Sequence, residues 1–255
     1  MLLAVDIGNT NIVIAIYDGN DFVETFRIYS DEKKTSDEYM VILETLIRES
    51  GIERGRIDSA IVSSVVPNLT RSIEKIIKRL FLIEPLMVSK EIKTGLNRDS
   101  IPDELGSDLL CNLSYAHHRY PGRTVMTVDF GTALTFSTVD EDGNVLGVSI
   151  APGLVTAVNS LFSGTAQLPQ VELKIPSSTL GRNSVDSIRS GIMLGYAGLV
   201  NSIIERTEKE VGKPIVVLAT GGLSKVISPL IDRFETVDGY HTLRGLVLIS
   251  SLNNH

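Results

Sequence analysis

The chain has 255 residues, of which 43% are hydrophobic and 22% charged, and its formal net charge of −7 accompanies a pI near 5.2. A chain of this size and composition is expected to be fully globular, with one large domain or two of ordinary size. The acidic balance argues against a nucleic-acid partner or an anionic membrane surface, because both need clustered Lys and Arg to neutralise phosphates. A phosphate ligand would therefore be held by backbone N–H groups and a bound cation.

Cysteine content and the N-terminal segment bear on the cellular compartment. The single cysteine, Cys111, excludes an intrachain disulfide and fits a reducing environment. It lies in an apolar helical run, which favours a packed core thiol over a nucleophile. Residues 1–5 lack the basic start of a signal peptide, and no apolar run approaches the roughly 20 residues of a membrane helix. These features predict a cytoplasmic protein that does not bind a membrane.

Two segments of the chain, 5–16 and 128–139, repeat one design. In each, a predicted strand ends in Asp-x-Gly, a tight turn of small polar residues follows, and a second strand begins. A glycine turn then leads into a third strand, and a fourth strand comes later in each half. The predicted third and fourth strands lie at 23–28 and 59–66 in the first half, and at 145–150 and 214–219 in the second.

Helical segments fill the gaps between these strands. Thr35 and Glu38 have the spacing of a capping box, and apolar residues then recur at helical spacing until Gly51. The other helices are predicted around Ile73, Ile76, Ile77 and Leu80, and at 105–116, 184–211 and 223–234. This order predicts an α/β fold with two similar halves, 1–119 and 120–255, and a ligand-binding cleft between them.

The two Asp-x-Gly turns have the residue types that bind phosphate. Gly8 lets a nucleotide approach the backbone, Asn9 and Thr10 provide donors, and Asp6 can hold a hydrated magnesium ion. The corresponding residues of the second copy are Asp129, Gly131 and Thr132. Such residues are also common turn formers, so one copy would be weak evidence, whereas two equivalent copies favour an ATP-dependent kinase. The chain has no Gly-x-x-x-x-Gly-Lys-Ser/Thr segment, which excludes a P-loop enzyme.

Several segments carry a family resemblance. Those at 6–11, 129–133 and 219–222 resemble the two phosphate motifs and the adenosine motif of the actin, hexokinase and Hsp70 superfamily, which has a duplicated ribonuclease H-like fold. Within that superfamily, the chain is similar to the type III pantothenate kinases from Asp6 to about Gly245. The segments that carry this second similarity lie at 63–67, 93–96, 102–108, 151–153, 161–169, 181–184 and 187–192.

The resemblance implies a homodimeric kinase that transfers phosphate from ATP to the hydroxyl of pantothenate in coenzyme A synthesis. It implies that Asp108 is the catalytic proton acceptor, that Asp129 binds a monovalent cation (potassium or ammonium), and that Asp6 holds the magnesium of ATP. The residues implied to bind ATP are Asp6, Ile7, Gly8, Asn9, Thr10, Asn11, Ile12, Val13, Thr132, Gly221 and Gly222. Those implied to bind the substrate are Gly106, Ser107, Asp108, Leu109 and Ser184.

Asp108 can also be explained without catalysis. A free aspartate, with a pKa of about 3.9, is a weak base toward an alcohol. In a loose phosphoryl-transfer transition state, however, a carboxylate that aligns the hydroxyl and accepts its proton late is sufficient. The start of a helix favours an ionised carboxylate, because the helix dipole is positive there. For the same reason Asp103, Glu104 and Asp108 equally fit first-turn acids that only stabilise the helix.

On the substrate side the chain departs from the family pattern. Leu109 stands where the family has an arginine, residues 99–101 lack the usual tyrosine, and Ser184 replaces a threonine. Loss of a charge-assisted arginine contact costs about 1.5–3 kcal/mol of binding free energy. Two alternatives therefore stay open: a kinase for another small hydroxylated metabolite, and an ATP-binding accessory or regulatory protein with weak or no pantothenate kinase activity.

The remaining candidate features favour structural interpretations. Adjacent His117 and His118 point in different directions on a helix, which favours a solvated helix end over a metal site. Residues 147–151 approximate a nucleophile elbow but lie inside a predicted strand. Small residues on the long helix would pack closely against a dimer partner or against the chain's own sheet; they are Gly191, Gly195, Ala197 and Gly198.

Overall fold

The computed structural model describes residues 1–164, 169 and 171–253. The chain forms two compact units, Met1–Tyr115 together with the segment that begins at His241, and Ala116–Tyr240. The predicted halves, 1–119 and 120–255, differ from these units mainly because the C-terminal helix belongs to the first unit. Among the described helices, none is long and apolar enough to cross a membrane.

The first unit is built on a five-stranded sheet. Its strands are β1 (Leu2–Ile7), β2 (Asn11–Tyr17), β3 (Phe22–Tyr29), β4 (Ser59–Ser64) and β5 (Leu86–Met87). They lie in the order β3-β2-β1-β4-β5, with β1 antiparallel to β2 and parallel to β4. This is the strand arrangement of a ribonuclease H-like unit.

The second unit repeats the arrangement. Its strands are β6 (Val125–Phe130), β7 (Ala133–Val139), β8 (Val145–Pro152), β9 (Val216–Thr220) and β10 (Thr236–Val237). Their order is β10-β9-β6-β7-β8, with β6 antiparallel to β7 and parallel to β9. Read from the other edge, this is the order of the first sheet. The predicted α/β class and duplicated ribonuclease H-like fold are confirmed.

Each sheet packs its apolar face against helices. The α-helices of the described chain are α1 (Ser36–Glu49), α2 (Pro67–Phe81), α3 (Ser107–Arg119), α4 (Leu154–Ser163), α5 (Ser184–Val211), α6 (Ser224–Ile227) and α7 (His241–Asn253). In the first core, side chains of β1 and β2 pack with α1 and α2, for example Leu3, Ile14, Tyr39 and Ile77. In the second core, Phe130 and Phe136 pack with Met193 and Val200 of α5. Cys111 is fully buried, as predicted for a core thiol.

Local sequence signals set the ends of two helices. Thr35 caps α1, and its backbone N–H donates to Glu38 Oε2 at 2.7 Å, which confirms the predicted capping box. The α5 bounds are those predicted. Asn183 accepts a hydrogen bond from the backbone of Asp186 at the start of α5, and Gly212 ends it with φ +77°, a conformation that glycine adopts without strain.

The predicted helix at 223–234 is wrong. α6 ends at Ile227 and is followed by a 3₁₀ turn, Ser228–Leu230. Pro229 explains the break, because it has no backbone N–H to donate and its ring would clash with the carbonyl four residues earlier in a continuous α-helix. The sequence prediction also missed α4 and α7. In α7, Gly245 weakens the helical signal but allows close packing, since a Cβ there would lie 2.2 Å from the carbonyl oxygen of Cys111.

Candidate functional site

The first Asp-x-Gly turn connects β1 and β2. Asp6 lies near the end of β1, and the backbone N–H of Gly8 donates to the Asn11 carbonyl at 3.0 Å, which closes the turn. The side chains of Ile7 and Ile12 are fully buried. A phosphate at this turn would therefore meet the backbone of these two predicted ATP-binding residues and not their side chains.

Ser30, which directly follows β3, makes two hydrogen bonds to the carbonyls of the same turn. Its hydroxyl donates to the Gly8 carbonyl at 2.6 Å, and its backbone N–H donates to the Thr10 carbonyl at 2.9 Å. Ser30 is itself buried. With these carbonyls occupied, the turn has a fixed shape. Sequence reasoning missed this residue, because no local motif links Ser30 to a turn some twenty positions earlier.

Asp108 lies in the first turn of α3, which is attached to the end of β4 through Ser107. The Ser107 hydroxyl accepts from the backbone N–H of Ser64 at 2.8 Å and lies 2.9 Å from the Ser64 carbonyl and 3.0 Å from the Ser63 hydroxyl. The Ser107 hydroxyl donates to the Ser64 carbonyl, and Ser63 has a hydroxyl proton of its own to donate to Ser107, so the three contacts are compatible. Ser107 was predicted to bind substrate, and here it anchors the helix that carries Asp108.

The Asp108 carboxylate is held close to its own backbone. Its Oδ1 accepts from the Leu109 N–H at 2.8 Å, and a Cβ on Gly106 would lie 2.5 Å from the same oxygen, so glycine leaves room for the carboxylate. Burial raises the pKa of Asp108, and the Leu109 N–H opposes this increase by favouring the charged form. The higher pKa makes Asp108 a better proton acceptor than a free aspartate.

Asp6 and Asp108 share one neighbourhood in the first unit. Both lie close enough to the buried Cys111 thiol for their negative charges to raise its pKa, although burial is the largest cause of that increase. The thiol is consequently kept protonated and unreactive. The fold thus brings together two carboxylates that are about a hundred positions apart in the chain.

The second Asp-x-Gly turn, between β6 and β7, is held by the start of α4. The Thr132 carbonyl accepts from the Gly153 N–H at 3.0 Å and from the Thr156 hydroxyl at 2.8 Å. A Cβ on Gly153 would lie 2.3 Å from the Gly131 carbonyl oxygen, so only glycine allows this approach. The Ala-Pro-Gly segment that ends in Gly153 therefore acts as a support for the turn.

Gly221 lies directly against Asp129. A Cβ at Gly221 would be 2.4 Å from Asp129 Oδ1 and 2.6 Å from the Phe130 backbone, and the residue has φ +90°. Gly222, by contrast, has open space around it. The sequence resemblance assigned Asp129 to a cation and Gly221 to adenosine. The pairing of Asp129 with Thr220 in the parallel β6–β9 ladder brings these two predicted sites into contact.

Comparison with known proteins identifies the family. The family model for type III pantothenate kinase matches residues 2–206. The chain belongs to this family. A type III pantothenate kinase of Geotalea daltonii is 40% identical over 254 residues, 99% of each chain, and one of Roseiflexus sp. is 41% identical over the same share. A solved structure of a Baf family protein from Campylobacter jejuni is similar in fold, with a TM-score of 0.57, 16% identity and 98% coverage of both chains.

Leu109 and Ser184 are two of the three places where the sequence resemblance indicates a departure from the family pattern. Leu109 is buried, so at the arginine position this chain provides apolar packing and no charge. Ser184, which takes the threonine position, is exposed in the first turn of α5 next to the capping residue Asn183. Its hydroxyl is therefore accessible, as a substrate-binding residue requires.

The other candidate features have structural explanations. His118 is exposed at the end of α3, whereas His117 has a buried Nδ1 that lacks a hydrogen-bond partner within the described chain. Among the described residues no cluster of three or more His, Cys, Asp or Glu side chains forms a metal site. Residues 147–151 lie within β8, as predicted. A potassium ion does not need such a cluster, because carboxylate, hydroxyl and carbonyl oxygens would coordinate it.

Proposed function

We propose that the protein is a pantothenate kinase that transfers the γ-phosphate of ATP to the pantothenate hydroxyl, giving 4′-phosphopantothenate and ADP. The observation that carries this proposal is the half-buried carboxylate of Asp108, attached through Ser107 to the strand beside Asp6, in a chain 40% identical to a type III pantothenate kinase over its whole length. The hydroxyl oxygen of pantothenate would bond to the γ-phosphorus as the bond to ADP breaks. Its proton would pass to Asp108.

On the nucleotide side, the turn that follows Asp6 would hold the ATP phosphates through backbone N–H groups. The shape that Ser30 imposes on this turn supports the assignment, because preorganised donors stabilise developing charge without reorganisation. Asp6 would hold magnesium through the waters that this ion usually keeps. In the second unit, Thr132, Gly221 and Gly222 stay proposed ATP-binding residues on the strength of the sequence resemblance.

The surroundings of Asp129 fit a monovalent cation. The β6–β7 register places Thr127, Thr135 and Ser137 on the same face of the sheet as Asp129, so the carboxylate has hydroxyl-bearing neighbours. Oxygen donors of this kind suit a hard cation. A bound potassium or ammonium ion would supply positive charge next to the nucleotide, and Asp129 would be its anionic ligand.

For the acceptor side we propose residues 106–109 and Ser184. Gly106 and Ser107 would act by placing Asp108, whereas Ser184 would offer its hydroxyl to the substrate. Leu109 offers no charge to the pantothenate carboxylate. This observation motivates the second candidate, a kinase for another small hydroxylated metabolite, and is equally expected for the third, an ATP-binding accessory protein.

We also propose a homodimer. Gly191, Gly195 and Gly198 of α5 are exposed with open space beside them, whereas Ala197 packs into the core of its own unit. Apolar side chains are exposed on the neighbouring α4, among them Val155 and Phe162. A second copy that covers α4 and α5 would bury both groups, and light scattering would test it. The cytoplasmic location stays a prediction.

A coupled assay of ADP release with Mg-ATP, pantothenate and potassium tests the function. We expect ADP release that depends on pantothenate and falls when sodium replaces potassium. ATP binding without ADP release from pantothenate would overturn the proposal. A panel of hydroxylated metabolites in the same assay would then separate a kinase of different specificity from an accessory protein that phosphorylates none of them.

A further inference from the structure

Two buried hydroxyls lie behind Asp129 in the second unit. Thr127 and Ser137 are each 1% exposed, and neither Oγ atom has a hydrogen-bond partner within the described part of the chain. The β6–β7 register pairs Thr127 with Ser137 and Asp129 with Thr135. Alternate residues of a strand point to the same face of a sheet, so these four side chains form a two-by-two array.

The first unit provides an internal control for this array. In the matching register, β1 and β2 pair Ala4 with Ala15 and Asp6 with Val13. Ala4 and Ala15 are fully buried. The fold therefore accepts two alanines at the positions of Thr127 and Ser137, and the hydroxyls are not needed to build this sheet.

A buried hydroxyl without a partner is unfavourable, because it has lost its bonds to water and gained none. Native proteins satisfy such groups with an internal water or an ion when protein partners are missing. The hydroxyls here occur only in the unit whose aspartate is proposed to bind a cation. This coincidence points to a ligand beside the array.

We propose that Thr127 and Ser137 form the inner part of the Asp129 cation site. Their hydroxyls hold one buried water that hydrogen-bonds to the Asp129 carboxylate and completes the oxygen shell of a potassium-sized ion. The inference rests on the cation site of the proposed function and adds two residues to it. The β1–β2 pair beside Asp6 has no such hydroxyls, because alanine and valine stand at the matching positions, so the array is specific to the second unit.

The test compares Thr127→Val with Ser137→Ala and with a double variant, Thr127→Ala/Ser137→Ala, that copies the alanine pair of the first unit. Two quantities are measured: the potassium concentration for half-maximal kinase activity, and the thermal midpoint in potassium chloride against choline chloride without ATP. We expect the potassium requirement of the double variant to rise roughly tenfold, the loss expected for one or two hydrogen bonds. The rise of the thermal midpoint on going from choline to potassium should therefore be smaller in the double variant than in the parent.

Two further variants keep the test decisive. Thr127→Ser retains the hydroxyl and should keep the parent's potassium requirement. Thr138→Val removes a buried hydroxyl from the neighbouring position of β7, outside the array, and should also leave the potassium requirement unchanged. Equal destabilisation of the double variant in potassium and in choline would reduce the hydroxyls to a packing role and overturn the inference. The inference would also be overturned if the double variant had the same potassium requirement and the same potassium-dependent thermal shift as the parent. That result would leave the proposed kinase activity intact. A parent without any potassium response would remove the cation site itself.

Discussion

The two units repeat one strand arrangement but support their Asp-x-Gly turns differently. The first turn is held by Ser30, from the end of the neighbouring strand β3, through the carbonyls of Gly8 and Thr10. The second is held by the start of α4, where Gly153 and Thr156 both donate to the Thr132 carbonyl. A duplicated fold thus preserves the turn while its supports diverge, and we expect the two aspartates to have different tasks.

The sharpest difference between the units is that the proposed proton acceptor belongs to the first. Asp108→Asn should lower kcat by a factor of about 10² or more, because amide nitrogen and oxygen cannot accept the hydroxyl proton. ATP binding, measured by calorimetry, should be retained. A variant with parental kcat would remove Asp108 from the mechanism.

The same variant has a predicted effect on stability. Burial raises the Asp108 pKa, so ionisation disfavours the folded state at pH values above that raised pKa, and the penalty vanishes as the pH falls through it toward the unfolded value. Asp108→Asn should therefore have a higher thermal midpoint than the parent at pH 7 to 8, and the difference should shrink near pH 4. An equal difference at both pH values would contradict the burial argument.

Gly221 tests the packing that only the second unit has. Gly221→Ala would force a Cβ into Asp129 and the Phe130 backbone at a positive φ, and should cost about 1–3 kcal/mol of the free energy of unfolding. Gly222→Ala is the matched control, because its Cβ would meet open space. Urea unfolding measures both. Similar losses for the two variants would show that Gly221 has no special contact.

Ser30 tests the support of the first turn. Ser30→Ala removes the bond to the Gly8 carbonyl, at a net cost of about 1 kcal/mol, and should raise the KM for ATP about fivefold with a smaller change in kcat. Ser30→Thr keeps the hydroxyl and should restore the KM. A loss of stability with an unchanged KM would assign Ser30 to folding and not to the nucleotide site.

Thr156 tests the corresponding support in the second unit and should give the smallest effect. After Thr156→Val the Thr132 carbonyl keeps its bond from the Gly153 N–H, so the KM for ATP should change about twofold or less. Measuring the KM for ATP of Thr156→Val and of Ser30→Ala in the same assay compares the hydrogen bonds that hold the two turns. An effect larger than that of Ser30→Ala would reverse the proposed ranking of the two turns.

Local patterns predicted most of the fold. The Thr35 capping box, the bounds of α5 and the two strand-turn-strand repeats depend on residues close in the chain, and the structure confirms them. The predicted helix at 223–234 was wrong, because the helical spacing of its apolar residues was given more weight than the helix-breaking Pro229. The prediction also missed α7, because Gly245 has a low helix propensity and is present for close packing against α3.

By itself the sequence determined that two Asp-x-Gly turns exist, that Asp108 begins a helix, and that the chain has the motifs of type III pantothenate kinases. Only the tertiary structure decided which residues meet. Gly221 contacts Asp129 because β6 and β9 pair in parallel across some ninety residues, and Thr127 faces Ser137 because of the β6–β7 register. A strand's sequence specifies which face is apolar but not which partner or register it takes, since those depend on side chains far away in the chain.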